Sequence, residues 1–337
     1  MIIAAMALGT SWAVRGKFGH EQGAAWAGAI GGIVLVLLSG RKDWYQKIYT
    51  VALAAAVGWG MGGMCSYGLL VGYGNADDFP NALYGFAMLF VVGALYGVTG
   101  GGLVGLALSH NKERKVDWAR VITEMTIGGF LAYGFLIAQL GWAMTPPRSE
   151  LWAGCFGAGL ALIWYLYRNN YFAPLKVALF ATIGAGFGFA SGEFWNVLFL
   201  SYKIPLSGWN TMEYSIGFWG GLGMAYGIFT SKWNEPNVIS NLISPISSKV
   251  ALLSVVLIIP MIIWQQSFIQ SKFIPLVESL NWQNVEAGAI ALRLTALVLI
   301  LAMAAFLFYR FYKNHGKDIT RKEVFIYFIT LLSLIHI

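Results

Sequence analysis

The chain has 337 residues, of which 11% are charged and 58% are drawn from Ala, Val, Ile, Leu, Met, Phe, Trp, Tyr and Cys, with a net charge of +7. A soluble domain carries roughly a quarter charged residues, so the solvent for most of this chain is a bilayer. The positive balance invites a nucleic-acid reading, but the basic residues stand in short clusters between apolar runs and form no basic, aromatic module, which argues against it.

Apolar runs suited to membrane helices cover residues 1–14, 22–39, 48–72, 83–108, 119–144, 151–167, 174–200, 212–230, 249–270, 286–312 and 323–337. They are about twice the length of a barrel strand and lack its strict alternation, so helices are expected. The fold class expected is all-α: a polytopic integral membrane protein of about 11 transmembrane helices. The first run is short for a span and is closed by Arg15. Cys65 and Cys155 lie inside apolar runs without metal-like spacing and read as packing residues.

Alternate connections carry most of the Lys and Arg. One set holds Arg41, Lys42, Lys47, Lys112, Arg114, Lys115, Arg120, Arg168, Lys176, Lys232, Lys249, Arg310, Lys313, Lys317, Arg321 and Lys322. The other holds only Arg15, Lys17, Arg148, Lys203 and Lys272. The positive-inside rule then places the first set and the N-terminus in the cytoplasm, consistent with a bacterial cytoplasmic membrane.

"GWGMGGMCSYG" at 58–68 and "GAGFGFASGEF" at 184–194 share glycines in register, and each is followed by a loop and a returning glycine-rich run. Fainter versions at the N-terminus and near 126–163 complete four tandem helical hairpins over residues 1–231. A polar cytoplasmic linker, 232–248, separates them from a C-terminal three-helix extension, 249–331, in which Leu, Ile and Val replace Gly. Residues 332–337 read LSLIHI, the translation of a transposon-end sequencing adapter, and are expected to be foreign to the natural chain. The 41 glycines are expected mainly to let helices approach closely, with runs such as Gly100-Gly101-Gly102 as candidate weak points.

Charges at membrane depth cost roughly 2.5–3.5 kcal/mol on insertion scales and are usually paired or functional. Glu124 is expected to pair with Arg120 near a helix end, and Arg293 to snorkel or pair with Glu286. Glu193 lies deep in its run, and Glu213 at the edge of the next. The stretch "WAVRGKFGHEQGAAWAG", 12–28, is the anomaly, since it places Arg15, Lys17, His20 and Glu21 in one short connection on the side poor in cations. It reads as a re-entrant or broken segment facing a polar cavity, with Glu193 as the partner of Arg15 by pseudo-symmetry of the hairpins.

The substrate-binding residues expected are therefore Arg15, Lys17, His20, Glu21, Glu193, Trp195 and Asn196. The function expected is a secondary transporter or permease for a small polar or anionic solute, with proton coupling through Glu193, Glu21 or His20. The alternative is an integral-membrane transferase or hydrolase acting on lipid-linked or acylated substrates, with His20 and Glu21 as the acid/base pair. Expected partners are the lipid bilayer and a small-molecule solute, with a homo-oligomer left open. No cofactor and no metal is expected. The span number is that of ammonium transporters, but their inverted duplication and paired pore histidines are not found, and no family motif is carried residue by residue.

Overall fold

A computed structural model describes residues 1–234, 245–314 and 319–333. The described residues form helices and connections without a strand. The helices are α1 (Ile2–Arg15), α2 (Glu21–Ser39), α3 (Lys42–Tyr45), α4 (Ile48–Gly62), α5 (Gly68–Gly74), α6 (Phe79–Ser109), α7 (Trp118–Tyr133), α8 (Trp152–Arg168), α9 (Phe172–Ser201) and α10 (Gly208–Phe229). After them come α11 (Pro245–Leu253), α12 (Ile259–Ser267), α13 (Gln270–Ser279), α14 (Val285–Lys313) and α15 (Arg321–Leu332). Two stretches of wider helical turns, Gly134–Gln139 and Ser254–Ile258, continue α7 and join α11 to α12. Six of the described helical segments are long and apolar enough to cross a membrane: Glu21–Ser39, Phe79–Ser109, Trp118–Gln139, Phe172–Ser201, Ile246–Ser267 and Val285–Lys313.

Six helices pack as neighbouring pairs, α1 on α2, α2 on α4, α4 on α6, α6 on α9, α9 on α10 and α10 on α1, which closes a ring. Glycine permits the close approaches. A Cβ on Gly58 of α4 would lie 2.5 Å from the Thr99 carbonyl oxygen of α6, and one on Gly97 of α6 would overlap the Ala181 carbonyl of α9. The hydroxyl of Thr99 donates back to the Gly58 carbonyl at 2.8 Å, fixing α6 on α4. The ring interior is filled by Leu8, Trp12, Trp59, Tyr96 and Phe189, all fully buried.

Outside the ring, α7 and α8 pair with each other and lean on it through α8, while α11, α12 and α15 cover the outer side of α2 and α4. Trp26 of α2 donates its indole N–H to the Leu331 carbonyl at 3.3 Å, and Tyr49 of α4 packs edge-on against Tyr327 and Phe311. Many large apolar side chains of α7 and α14, among them Phe130, Leu131, Val298 and Phe306, face outward, as lipid contact requires.

Several sequence boundaries shift. The run 48–72 is two helices, α4 and α5, separated by a break at 63–67. Helix α10 starts four residues before 212, where the Ser207 hydroxyl accepts the Asn210 backbone N–H at 3.2 Å as an N-cap. Helix α11 starts at Pro245, inside the expected linker, and α13 occupies what read as a connection. Linker residues 235–244, the basic residue Lys317 and residues 334–337 of the suspected adapter lie outside the described residues. Glu124 does meet Arg120, at 2.8 Å, and also Arg168 of α8 at 2.5 Å. Arg293 makes no ion pair with Glu286 among the described residues; its guanidinium lies 4.4 Å from the Trp264 ring centroid.

Candidate functional site

At 1.5 Å per residue, α1 and α4 reach only about 21–23 Å, less than the roughly 30 Å of a hydrocarbon core. Both stop at the same end of the ring. There α1 gives way to a turn through Gly19, whose φ of +90° lies in the left-handed region that favours glycine, and α4 gives way to the break that leads to α5. A break frees backbone groups, and here part of the demand is met locally: Cys155 of α8 donates its thiol to the Met61 carbonyl at 3.2 Å.

Into the space so formed reaches Arg15, the last residue of α1, only 1% exposed. Its carboxylate partner is Glu213 of α10, not Glu193. The guanidinium donates from Nε to Oε2 and from Nη2 to Oε1, both at 3.1 Å, and Nη2 approaches Oε2 to 2.8 Å. Tyr67, the residue that enters α5, completes the group: its hydroxyl donates to Glu213 Oε1 at 2.6 Å and accepts from Arg15 Nη2. Three segments distant in sequence, α1, the α4–α5 break and α10, are thereby joined by one buried charge pair. Trp12, one turn before Arg15, lies beneath the guanidinium with its ring centroid 4.8 Å away.

Below this pair, toward the ring centre, stand aromatic rings from helices that face each other across the ring. The Trp12 ring is 5.0 Å from Trp59 and 5.5 Å from Tyr96, and Tyr96 is 5.2 Å from Phe189. Trp59 is cradled by three glycines, since a Cβ on Gly28, Gly100 or Gly220 would come within 2.8 Å of its side chain. Trp12 Nε1, Trp59 Nε1 and the Tyr96 hydroxyl are all buried and have no hydrogen-bond partner among the described residues. A buried donor without an acceptor costs about 1–3 kcal/mol, so three in one cluster is an expensive arrangement.

Glu193 forms a second, separate group. It is 0% exposed, and its oxygens accept from the amides of Asn75 at 2.7 Å and Asn196 at 3.2 Å. Gly74, at the end of α5, makes room for it: a Cβ there would sit 2.8 Å from Glu193 Cγ. No cation is among its described partners.

The remaining sequence candidates diverge. Lys17, His20 and Glu21 are exposed, because the chain leaves α1 after Arg15 and carries them to the rim. His20 keeps contact with the site, its ring edge-on to Tyr67 at 5.4 Å. Partial desolvation there, followed by the charge of Arg15, holds its imidazole below the ordinary histidine value. Trp195 is 42% exposed and packs on Phe194 and Phe199, away from Glu193. Asn196 is buried beside Glu193, as noted.

Sequence reasoning missed Glu213 as a ligand of Arg15, and also Tyr67, Asn75, Tyr96 and Trp59. Glu213 was visible as a charge, but a helix start drawn at 212 left it at the membrane edge rather than in the second turn. Among the described residues no group of three or more His, Cys, Asp or Glu is placed to hold a metal ion. No protein family, curated protein or solved structure matches the chain.

Proposed function

We propose that the protein is a secondary permease for a small polar or anionic solute, which passes along the axis of the six-helix ring. The observation that carries this reading is the trio of donors without a partner among the described residues, Trp12 Nε1, Trp59 Nε1 and Tyr96 OH, buried in the ring beneath the Arg15–Glu213–Tyr67 group. Donors without acceptors, beside a guanidinium, suit a guest that brings acceptor oxygens with it. Arg15 exchanges Glu213 for the guest, and Tyr67, tied to both, moves with that exchange.

In this reading about 11 segments cross the membrane as tandem hairpins followed by the C-terminal helices, and the N-terminus is cytoplasmic. The loop distribution of Lys and Arg supports that orientation. The Arg15 end of the ring then faces outward. Glu193 takes the proton-coupling role, because its described partners are neutral amides and it can gain or lose a proton without breaking an ion pair. The transferase alternative has less support, since its acid/base pair, His20 and Glu21, stays at the rim while its anion holder, Arg15, is buried.

Uptake by proteoliposomes, with a panel of anions, sugars and amino acids and with or without a proton gradient, tests the reading. Expected results are flux for one class of acceptor-rich solute, its loss in Arg15→Gln, and in Glu193→Gln a flux that no longer responds to the gradient. A wild-type protein that moves no member of the panel sinks the proposal.

A further inference from the structure

The opposite end of the ring carries a cavity of about 180 Å³, walled by the start of α4, the end of α6, the start of α9 and the chain that leaves α10. Its described lining includes four cations, Arg41, Lys47, Arg114 and Lys232, against one carboxylate, Asp43. That carboxylate is already occupied: Arg41 holds it with two parallel bonds, Nε to Oδ1 at 3.0 Å and Nη2 to Oδ2 at 2.7 Å. Lys47 is the unusual member. It is only 2% exposed, and its ammonium has one described acceptor, the Leu108 carbonyl oxygen at 3.0 Å. An ammonium offers three donors and strongly prefers hydration, so two of its protons stay unmatched within the described surroundings.

Arg114 is held by the Asn169 carbonyl through Nη2 at 2.8 Å and lies over the Tyr171 ring, whose hydroxyl it also meets, so some of its five N–H donors remain for another acceptor. Trp44 and Trp233 meet edge-to-face at 5.2 Å and give the cavity one apolar wall. A chamber of this size holds several waters or one tetrahedral oxyanion with a small substituent. Guanidinium and ammonium donors from separate segments match the oxygens of a phosphate better than those of a single carboxylate.

We propose that this cavity is a binding site for a phosphate-class dianion, either free phosphate or the phosphomonoester headgroup of a lipid. The dianion supplies acceptors for the N–H groups of Lys47 and Arg114 beyond those that the Leu108 and Asn169 carbonyls take, and offsets the excess positive charge around Asp43. The inference goes beyond the permease reading and does not depend on it, since the site lies at the other end of the ring and its test requires no transport.

The test uses the full chain in two settings. In detergent, inorganic phosphate is titrated at constant ionic strength against chloride, following thermal unfolding and tryptophan fluorescence. In nanodiscs of phosphatidylcholine, phosphatidate is added in place of phosphate. Saturable stabilisation by phosphate alone assigns the free anion, and by phosphatidate alone the headgroup; response to both assigns the shared chemistry. In Arg114→Gln and Lys232→Gln, whose side chains are the less buried members, affinity should fall at least about tenfold, equal to about 1.4 kcal/mol. Lys47→Met should abolish binding, and the other two variants decide the matter if it fails to fold. Absence of a saturable response to either ligand overturns the proposal, as does an unchanged response in both glutamine variants.

Discussion

A costly residue-level feature is the Arg15–Glu213 pair, because two charges lose their hydration together and their mutual contact, with the Tyr67 hydroxyl bonded to both, must offset the loss. Glu213→Ala leaves a buried guanidinium without its counter-charge and removes the acceptor of the Tyr67 hydroxyl. It should destabilise the protein by about 3–5 kcal/mol in thermal unfolding, whereas the double variant Arg15→Met/Glu213→Leu should recover most of that loss. Equal losses in both would mean that the pair is not the source of the effect. Lys47 allows a pH prediction outside the membrane-spanning helices. Burial, then the charge of Arg41, holds its ammonium down at about 8, with Asp43 opposing, against 10.5 for a free lysine. Below pH 8 the folded and unfolded chains both bind the proton and the full cost of burying it is present. Between 8 and 10.5 only the unfolded chain keeps it, so stability rises with pH across that window. Relative to Lys47→Met, the wild type should gain roughly 3 kcal/mol between pH 7 and pH 10.5. A flat difference between the two proteins would show that the cost does not exist. Much of this was visible in sequence only as charge, not as partnership. The stretch 12–28 announced Arg15 as anomalous, but adjacent residues need not share a destination: once α1 ends, the turn sends Arg15 inward and Lys17, His20 and Glu21 to the rim.

At the scale of elements, glycine spacing was the most legible signal, because small residues four apart mark the stripe on which backbones touch. The contact of α6 with α9 is an example: Gly93, Gly97 and Gly101 each face backbone or Cβ atoms of α9. Gly97→Leu should force the two helices apart and cost about 1–3 kcal/mol or more, with loss of monodisperse protein in detergent as the direct measure. The same change at Gly72, where a Cβ meets nothing within 4 Å, should be tolerated. Helix ends were less legible. The break at 63–67 sits inside an unbroken apolar run, and no proline or charge marks it. What defines it is tertiary: Gly62 and Gly63 press on Tyr96 and on the start of α2, and Tyr67 is drawn to Glu213. The early start of α10 was readable from Ser207 as an N-cap, and that reading would have put Glu213 within reach of the site.

For the whole molecule, hydropathy delivered the helical class and the membrane setting, whereas the ring itself could not be read. Its closure depends on α1 meeting α10, residues nearly the full bundle apart in sequence, and periodicity carries no information about such pairings. The core of the ring and its flanking helices should also differ in local stability. In hydrogen exchange, α6, α9 and α10 should be the slowest segments, with residues 63–67 and the turn at 16–20 opening far earlier. Uniform exchange across these segments would contradict that ranking. The glycine contacts carry a mechanical consequence. Where backbones already touch, no side chain can rotate aside to make room, so the ring behaves as a hoop of fixed circumference. Widening it would require one helix to slide bodily past another or to bend where its hydrogen-bond ladder is already interrupted. Among the described ring helices α1 and α4 end short within the bundle, and both end beside Arg15, so the compliant part of the hoop coincides with its buried ion pair.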